Sequence, residues 1–314
     1  MYIFGVDIGG TGIKSGIVDG TGKIVIKSSI PTQKECDYTV IVKNLADQLN
    51  ALCADSGIAL SEISAIGIGC PGAINSKKGV VDYSNNLRWT DVPLVDELHK
   101  YFDLPIKVSN DANVAALGEH VFGAGKRYND TVMITLGTGV GGGIIIDNKV
   151  YSGFNYAGAE LGHIVIEHNG QQCSCGRKGC WEAYSSATAL IRMTNEKLEE
   201  CAARSRKTLM AESKRVSGRT AFDCMRAGDE AAREVVDKYL AYLITGLVNI
   251  VNIFQPEVIS IGGGVSGEGQ SLVDALLDGV RREEYGHGVV PGTQIRIAQL
   301  GNDAGLVGAA VLGM

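Results

Sequence analysis

The feature that most limits the fold is an internal echo. Residues 3–26 read IFGVDIGGTGIKSGIVDGTGKIVI: an apolar run, a Gly-rich turn, a second apolar run, then Asp19-Gly20 and a third run. Residues 132–151 read VMITLGTGVGGGIIIDNKVY, with the same parts in the same order. Aligning Gly10-Thr11-Gly12 on Gly137-Thr138-Gly139 brings Asp19 within one position of Asp147. Two distant strand–turn–strand units predict a duplicated domain rather than a solenoid. The competing explanation is coincidence, because Gly-rich hairpins are common. At 314 residues the chain has room for two domains, each with its own core.

Hydrophobic patterning between the echoes predicts a helix over Val40–Cys53, a buried strand at Ile63–Gly69 and another at Ile106–Ser109. Asp229 is the expected N-cap of a long apolar-faced helix that stops before Pro256. Val258–Ile261 is a strand ending in Gly262-Gly263-Gly264, and Gly305–Leu312 a small-residue helix. Strands alternating with helices mean an α/β protein with mixed or parallel sheets.

A composition of 45% hydrophobic and 20% charged residues is that of a globular protein. A formal charge of −6 offers no basic patch, so nucleic acid is not an expected partner. No membrane span is expected either, since the run from Tyr239 to Phe254 is interrupted by Thr245, Gly246, Asn249 and Asn252. Met1 leads straight into the strand-like Tyr2–Val6 with no visible signal peptide, and a cytoplasmic location is expected. Cys36, Cys53, Cys70, Cys201 and Cys224 are scattered singly among apolar neighbours and are expected to be small buried hydrophobes in a reducing compartment.

The remaining thiols lie together. His163, Cys173, Cys175 and Cys180 fall within eighteen residues, and Gly176 and Gly179 supply tight turns between them. Zinc takes four nitrogen and sulfur ligands as a tetrahedron, and a Cys3His set closes the shell as a structural site. A disulfide is a poor alternative, because Cys173 and Cys175 are too close to bridge and a third thiol would remain. A surface cluster of reduced thiols is the bland alternative. Ordering such a loop would also place Glu160, three residues before His163, and Glu182, two after Cys180. His168 is expected to be a surface or satisfied histidine, since the ligand set is already full.

Asp7-Ile-Gly-Gly-Thr-Gly-Ile-Lys14 is neither a Walker A loop nor a GxGxxG dinucleotide turn. A Gly/Thr hairpin turn can nonetheless wrap phosphates with backbone N–H groups. Asp7 could hold hydrated Mg2+, and Lys14 could meet phosphate charge. A second turn at Gly137–Gly143 and a third Gly cluster at Gly262–Gly264 point to ATP. Phosphoryl transfer to a hydroxyl also needs a proton acceptor, and Asp111, directly after the Ile106–Val108 strand, is the candidate. Asp111 would serve equally as N-cap of a helix over Asn113–Val121, and the residues alone do not decide.

Together these motifs resemble the ROK family of sugar kinases and repressors, part of the actin–hexokinase superfold. The resemblance runs the length of the chain: DIGGTGIK, GCPG at 69–72, NDAN at 110–113, LGTGVGGG, ELGH at 160–163, CSCGRKGCWE at 173–182 and IGGGVS at 261–266. It implies an actin/hexokinase-like (ribonuclease H-like) duplicated α/β fold with a cleft between two lobes. It implies a small domain over 1–115, completed by a C-terminal helix at about 300–314, and a large domain over 116–299 carrying the zinc loop.

By resemblance, Asp111 is the catalytic base, and Asn110, Glu160, His163 and Glu182 hold sugar hydroxyls. His163 would do so with one ring nitrogen while the other binds zinc. Thr11 and Thr138 mark the two phosphate loops and Gly262–Gly264 the adenosine end. NNLRWTDVPL at 85–94 and GCWEAYSSATAL at 179–190 look most like the bacterial glucokinases of the family. The implied activity is ATP-dependent phosphorylation of the glucose 6-hydroxyl, with ATP, Mg2+ and structural zinc bound. Fructose, mannose and N-acetylmannosamine kinases share the frame, as do sugar-sensing repressors, whose winged-helix domain is not expected here. A homodimer or dimer of dimers is the expected assembly.

Overall fold

The computed structural model describes every residue except Gly288 and Val290. The chain divides into two compact units, one of Met1–Met133, Gly143–Ala159 and Gln299–Met314, the other of Ile134–Gly142 and Glu160–Ala298.

The first unit opens with a meander of β1 (Tyr2–Ile8), β2 (Gly12–Asp19) and β3 (Ile24–Pro31). At its second turn the Asp19 carboxylate accepts from the Thr21 N–H, the Thr21 hydroxyl and the Lys23 N–H, which closes the hairpin. Helix α1 (Tyr38–Ser56) follows, capped by Asp37 and ended by Gly57 in the left-handed region, φ 71°. Strand β4 (Ile63–Cys70) lies parallel to β1. A small sheet of β5 (Ala73–Asn75), β6 (Val80–Ser84) and β7 (Trp89–Val92) leads through α2 (Leu94–Leu98) to β8 (Ile106–Asn110), parallel to β4, and then to α3 (Asp111–Phe122). The main sheet has the order β3-β2-β1-β4-β8.

The next strands are β9 (Thr131–Leu136), β10 (Val140–Ile146) and β11 (Lys149–Val150), and the division between units falls within β9 and within β10. The second unit then carries α4 (Glu182–Ser185), α5 (Ala187–Ala203), α6 (Thr220–Arg226), α7 (Glu230–Phe254), β12 (Val258–Gly262), α8 (Gln270–Glu283) and β13 (Gln294–Ile297); α9 (Ala304–Gly313) closes the chain in the first unit. The second main sheet has the order β11-β10-β9-β12-β13. Counted in chain order, both sheets therefore run third, second, first, fourth, fifth. The echo read in the sequence is a true repeat of topology.

Strand alternation divides the first unit's core between two faces of its sheet. Phe4, Val6, Ile66 and Ile68 pack with Ile41, Leu45 and Leu49 of α1. Ile3, Val18 and Ala65 pack with Leu306 and Ala310 of α9. Helix α9 is apolar on all sides because it lies against the sheet and α3 at once. A Cβ on Gly67 would stand 1.7 Å from the Ala309 carbonyl oxygen, and one on Gly308 1.8 Å from that of Val114. The glycines let backbone meet backbone there. Truncating buried Leu306 to alanine would cost about 2–5 kcal/mol.

In the second unit α7 begins as expected at Asp229, whose carboxylate accepts from Ala231 N and Ala232 N, and ends at Gln255, φ 44°, before Pro256. Its buried stripe of Val235, Tyr239, Leu243 and Leu247 follows helical spacing. Trp181, fully buried, lies where a Cβ on Gly246 would be 2.0 Å from the indole, and its Nε1 donates to the Tyr242 carbonyl.

Two expectations change. Of the five scattered cysteines only Cys70 and Cys201 are buried; Cys36 is exposed, and Cys53 and Cys224 are half-buried. A single thiol among apolar neighbours on an amphipathic element has no periodicity to fix its face. The boundary drawn near residue 115 would cut α3, whose closest partner is α9, whereas the compact units part after Met133. Among the described residues no helix is long and apolar enough to cross a membrane.

Candidate active site

In the first unit the candidate residues gather at the C-terminal ends of neighbouring parallel strands, the usual ligand edge of an α/β sheet. Asp7 is in register with Gly69 of β4, and Cys70 with Asn110 of β8. Asp7 also pairs across β2 with Lys14. Burial raises the Asp7 carboxyl above its ordinary value, and the Lys14 ammonium partly opposes the rise. The buried Cys70 thiol is pushed up by burial and by the Asp111 and Asp7 carboxylates, which places all three side chains in one neighbourhood. Gly305 admits the Asp7 carboxylate against α9, since a Cβ there would meet it at 2.8 Å.

The N-cap of α3 is Asn110, not Asp111. Its Oδ1 accepts from Ala112 N at 2.9 Å and Asn113 N at 3.2 Å, and its Nδ2 donates to the Gly72 carbonyl at 3.0 Å. Asp111 is the first helical residue, so the helix starts two residues earlier than Asn113. The capping alternative for Asp111 is thereby removed, because its neighbour does that work. The Asp111 carboxylate accepts from Ala112 N at 2.9 Å and sits at the positive end of the helix dipole. GCPG is explained as well, since Gly72, φ 116°, offers its carbonyl to Asn110.

The first Gly/Thr turn closes through Gly9 N donating to Gly12 O at 2.9 Å, with Gly10 and Thr11 at its tip. The second closes through Gly137 N donating to Gly139 O at 3.0 Å, with Thr138 at its tip. The turns are therefore alike but differ by one residue. Gly263, φ 82°, lies directly on the backbone of Leu136, so Gly262–Gly264 is brought to the base of the second turn.

In the second unit His163 ends a short 3-10 turn that begins after Glu160. The four donor atoms of His163, Cys173, Cys175 and Cys180 lie within 4.8 Å of one another. Cys175 and Cys180 sulfurs are 3.6 Å apart, and Cys173 Sγ is 3.7 Å from His163 Nδ1. A tetrahedral ion with sulfur bonds of about 2.3 Å sets neighbouring sulfurs about 3.8 Å apart. The donors thus fit a closed four-ligand shell. Burial, then hydrogen bonds with Cys175 and Cys173, push the Cys180 thiol up to about 12. The backbone N–H of Arg177 lowers that of Cys175. A cation among them would hold all three as thiolates. Gly179, φ 83°, passes so close to the Glu167 carbonyl that a Cβ would stand 1.7 Å from it. His168 is exposed, as expected.

Glu182, at the start of α4, is gripped from two sides. Its Oε2 accepts from Val140 N of the second turn at 3.0 Å; its Oε1 accepts from the Ser174 hydroxyl at 3.1 Å and the Cys173 thiol at 3.8 Å. A Cβ on Gly139 would lie 2.3 Å from Oε2, so the carboxylate needs glycine there. A cavity of about 480 Å³ opens onto this group, lined among others by Thr138, Gly139, Gln171, Ser174, Thr188 and Arg192. Sequence reading missed Ser174, Thr188 and Arg192. Ser174 could have been found from its place between two cysteines of the cluster. Thr188 and Arg192 belong to a helix whose pattern gives no hint of chemistry. The structure brings Asp7, Asn110 and Asp111 together in one unit, and His163, Glu182 and the second turn together in the other.

The model of the ROK family matches residues 3–314. A glucokinase from Halalkalibacterium halodurans is 38% identical over 315 residues, covering 99% of this chain and 94% of its own. A xylose repressor from Bacillus spizizenii is 30% identical over 285 residues, which span 90% of this chain and 70% of the repressor. Among solved structures, a ROK family glucokinase from Streptomyces griseus in complex with glucose and AMPPNP is 35% identical, with 99% of each chain covered and a TM-score of 0.80. With the repeated sheet, the two Gly/Thr turns and the Cys3His cluster all in place, the chain belongs to the ROK family.

Proposed function

We propose that the chain is an ATP-dependent hexokinase that phosphorylates the 6-hydroxyl of glucose. The observation that carries this is the pair Asn110–Asp111 at the C-terminal end of β8: Asn110 caps α3, and Asp111, its first helical residue, stands with Asp7 at the ligand edge of the sheet. Full-length likeness to glucokinases, including one solved with glucose and an ATP analogue, supports the substrates.

In this mechanism the sugar O6 attacks the γ-phosphorus as the bond to the β,γ-bridging oxygen breaks. The O6 proton passes to Asp111, and ADP leaves with the bridging oxygen. The amides of the two Gly/Thr turns hold the phosphates, and Lys14 adds positive charge. Asp7 would hold Mg2+, which when bound neutralises phosphate charge. Glu160, Glu182 and the free ring nitrogen of His163 accept or donate to ring hydroxyls, with Asn110 contributing from the strand end. A site built on such bonds rejects sugars that cannot make them, because its polar groups would be left unpaired. His163 Nδ1, Cys173, Cys175 and Cys180 would hold structural zinc and so fix the loop that carries Glu182.

A coupled ADP-release assay over a panel of hexoses tests the proposal. Glucose should give the highest kcat/KM. Preference for fructose, mannose or N-acetylmannosamine would move the assignment to another sugar. Glucose binding without ADP release would make the protein a sensor.

A further inference from the structure

Both Gly/Thr turns are held from behind by the same device, built from unrelated parts of the chain. In the first unit Thr32, just beyond β3 and almost fully buried, donates its hydroxyl to Gly9 O at 2.6 Å and its N–H to Thr11 O at 3.2 Å. In the second unit the start of α5 does the same. Ala187 N donates to Gly137 O at 2.8 Å, and the Thr188 hydroxyl donates to Thr138 O at 2.8 Å. Each turn thus has two carbonyls drawn to one side by one backbone N–H and one threonine hydroxyl.

In a trans peptide the carbonyl and the following N–H point in opposite directions. Drawing Gly9 O toward Thr32 therefore turns the Gly10 N–H away from it. Drawing Gly137 O and Thr138 O toward α5 likewise turns the Thr138 and Gly139 N–H groups to the other side. Such a row of amides aimed one way is a backbone nest for anions. Without the restraint a Gly-rich turn has ready access to other conformations, and its amides would be presented only part of the time.

We infer that Thr32 and Thr188 are positioning residues for the phosphoryl donor, each fixing the amides of one turn toward phosphate without touching it. The inference rests on the kinase reading above and extends it to two residues outside the expected site. It also explains why a half-exposed helix start carries threonine where α5 needs no hydroxyl for its cap, which Ser186 already provides through Ala189 N.

The test is Thr188→Val, which keeps the branched shape and removes the donor, with Thr188→Ser as rescue, and the same pair at Thr32. Calorimetric binding of AMPPNP is measured beside KM for ATP and for glucose. Thr188→Val should weaken AMPPNP binding and raise the ATP KM roughly three- to ten-fold, the worth of one neutral hydrogen bond. Glucose KM should stay within about two-fold, and serine should restore the nucleotide values at both positions. Thr188 is exposed, so its variant remains informative even if Thr32→Val, made in the core, fails to fold. AMPPNP binding by Thr188→Val equal to wild type, or serine no better than valine, overturns the inference alone. Wild type that binds no AMPPNP overturns the kinase reading and this inference with it.

Discussion

Replacing Gly139 by alanine places a methyl group 2.3 Å from Glu182 Oε2 and 3.1 Å from its carboxyl carbon. Gly139 is not among the glycines with positive φ, so alanine itself is acceptable to the backbone. What must yield is the end of a flexible side chain, by about 1 Å to reach ordinary contact distance. The displaced carboxylate then loses the 3.0 Å bond from Val140 N. A hydrogen bond to a charged group is worth about 1.5–3 kcal/mol, or roughly a ten- to hundred-fold change at 1.4 kcal/mol per decade. The glucose KM should rise by that factor, although Gly139 is not proposed to touch sugar. ATP KM should rise too, because Val140, the residue directly after the second turn, loses its anchor on Glu182. Folding stability should fall by up to the worth of the same bond. Steady-state kinetics on Gly139→Ala, Glu182→Gln and the double variant decide it. The two single losses should not add, since both remove one contact. Glucose KM within two-fold of wild type in Gly139→Ala, or fully additive losses, would refute the linkage of sugar carboxylate and phosphate turn.

Asp111→Asn keeps size and polarity but cannot accept a proton. It should lower kcat about 10²–10⁴-fold or more while calorimetric glucose affinity stays within a few-fold. Cys175→Ser should lose zinc and glucose binding together, because closed Cys/His sites contribute on the order of 10–16 kcal/mol in small domains; one zinc per chain retained, by plasma emission, would contradict it. Asp7→Asn should remove activity and yet stabilise the free protein at pH 7. The native Asp7 pKa is raised above its ordinary 3.8 by burial, so the cost to stability is absent below 3.8, grows as the pH rises toward the raised value and is full above it. Urea midpoints should therefore favour Asp7→Asn at pH 7 and converge with wild type near pH 4.

Much of this protein was legible in the sequence because its constraints are local. The echo of Gly/Thr turns is a run of residues, and it forecast a duplicated domain, which the structure shows as two sheets that share one strand order. The Cys3His loop could be read because ligand spacing and Gly176 and Gly179 act within eighteen residues. Helix caps such as Asp229 are similarly short-range, although at α3 the sequence left Asp111 undecided between helix cap and proton acceptor. A cap is chosen by backbone angles at the strand end, and those depend on the register of β8 against β4 and on the Gly72 carbonyl that anchors the Asn110 amide.

Long-range closure lay beyond the sequence. Nothing in Val140 or Ser174 announces that both will donate to Glu182, as many as forty-two residues away along the chain. Nor does Thr32 or Thr188 announce a grip on a Gly-rich turn, and single cysteines gave no sign of which face they occupy. The sequence by itself determined the repeated α/β architecture, the Cys3His cluster and the two Gly/Thr turns, because periodicity, spacing and turn chemistry are properties of neighbouring residues. Only the tertiary structure decided which side chain caps α3 and which donors hold Glu182, because a hydrogen bond is settled within about 3 Å in space, a distance that separation along the chain does not report.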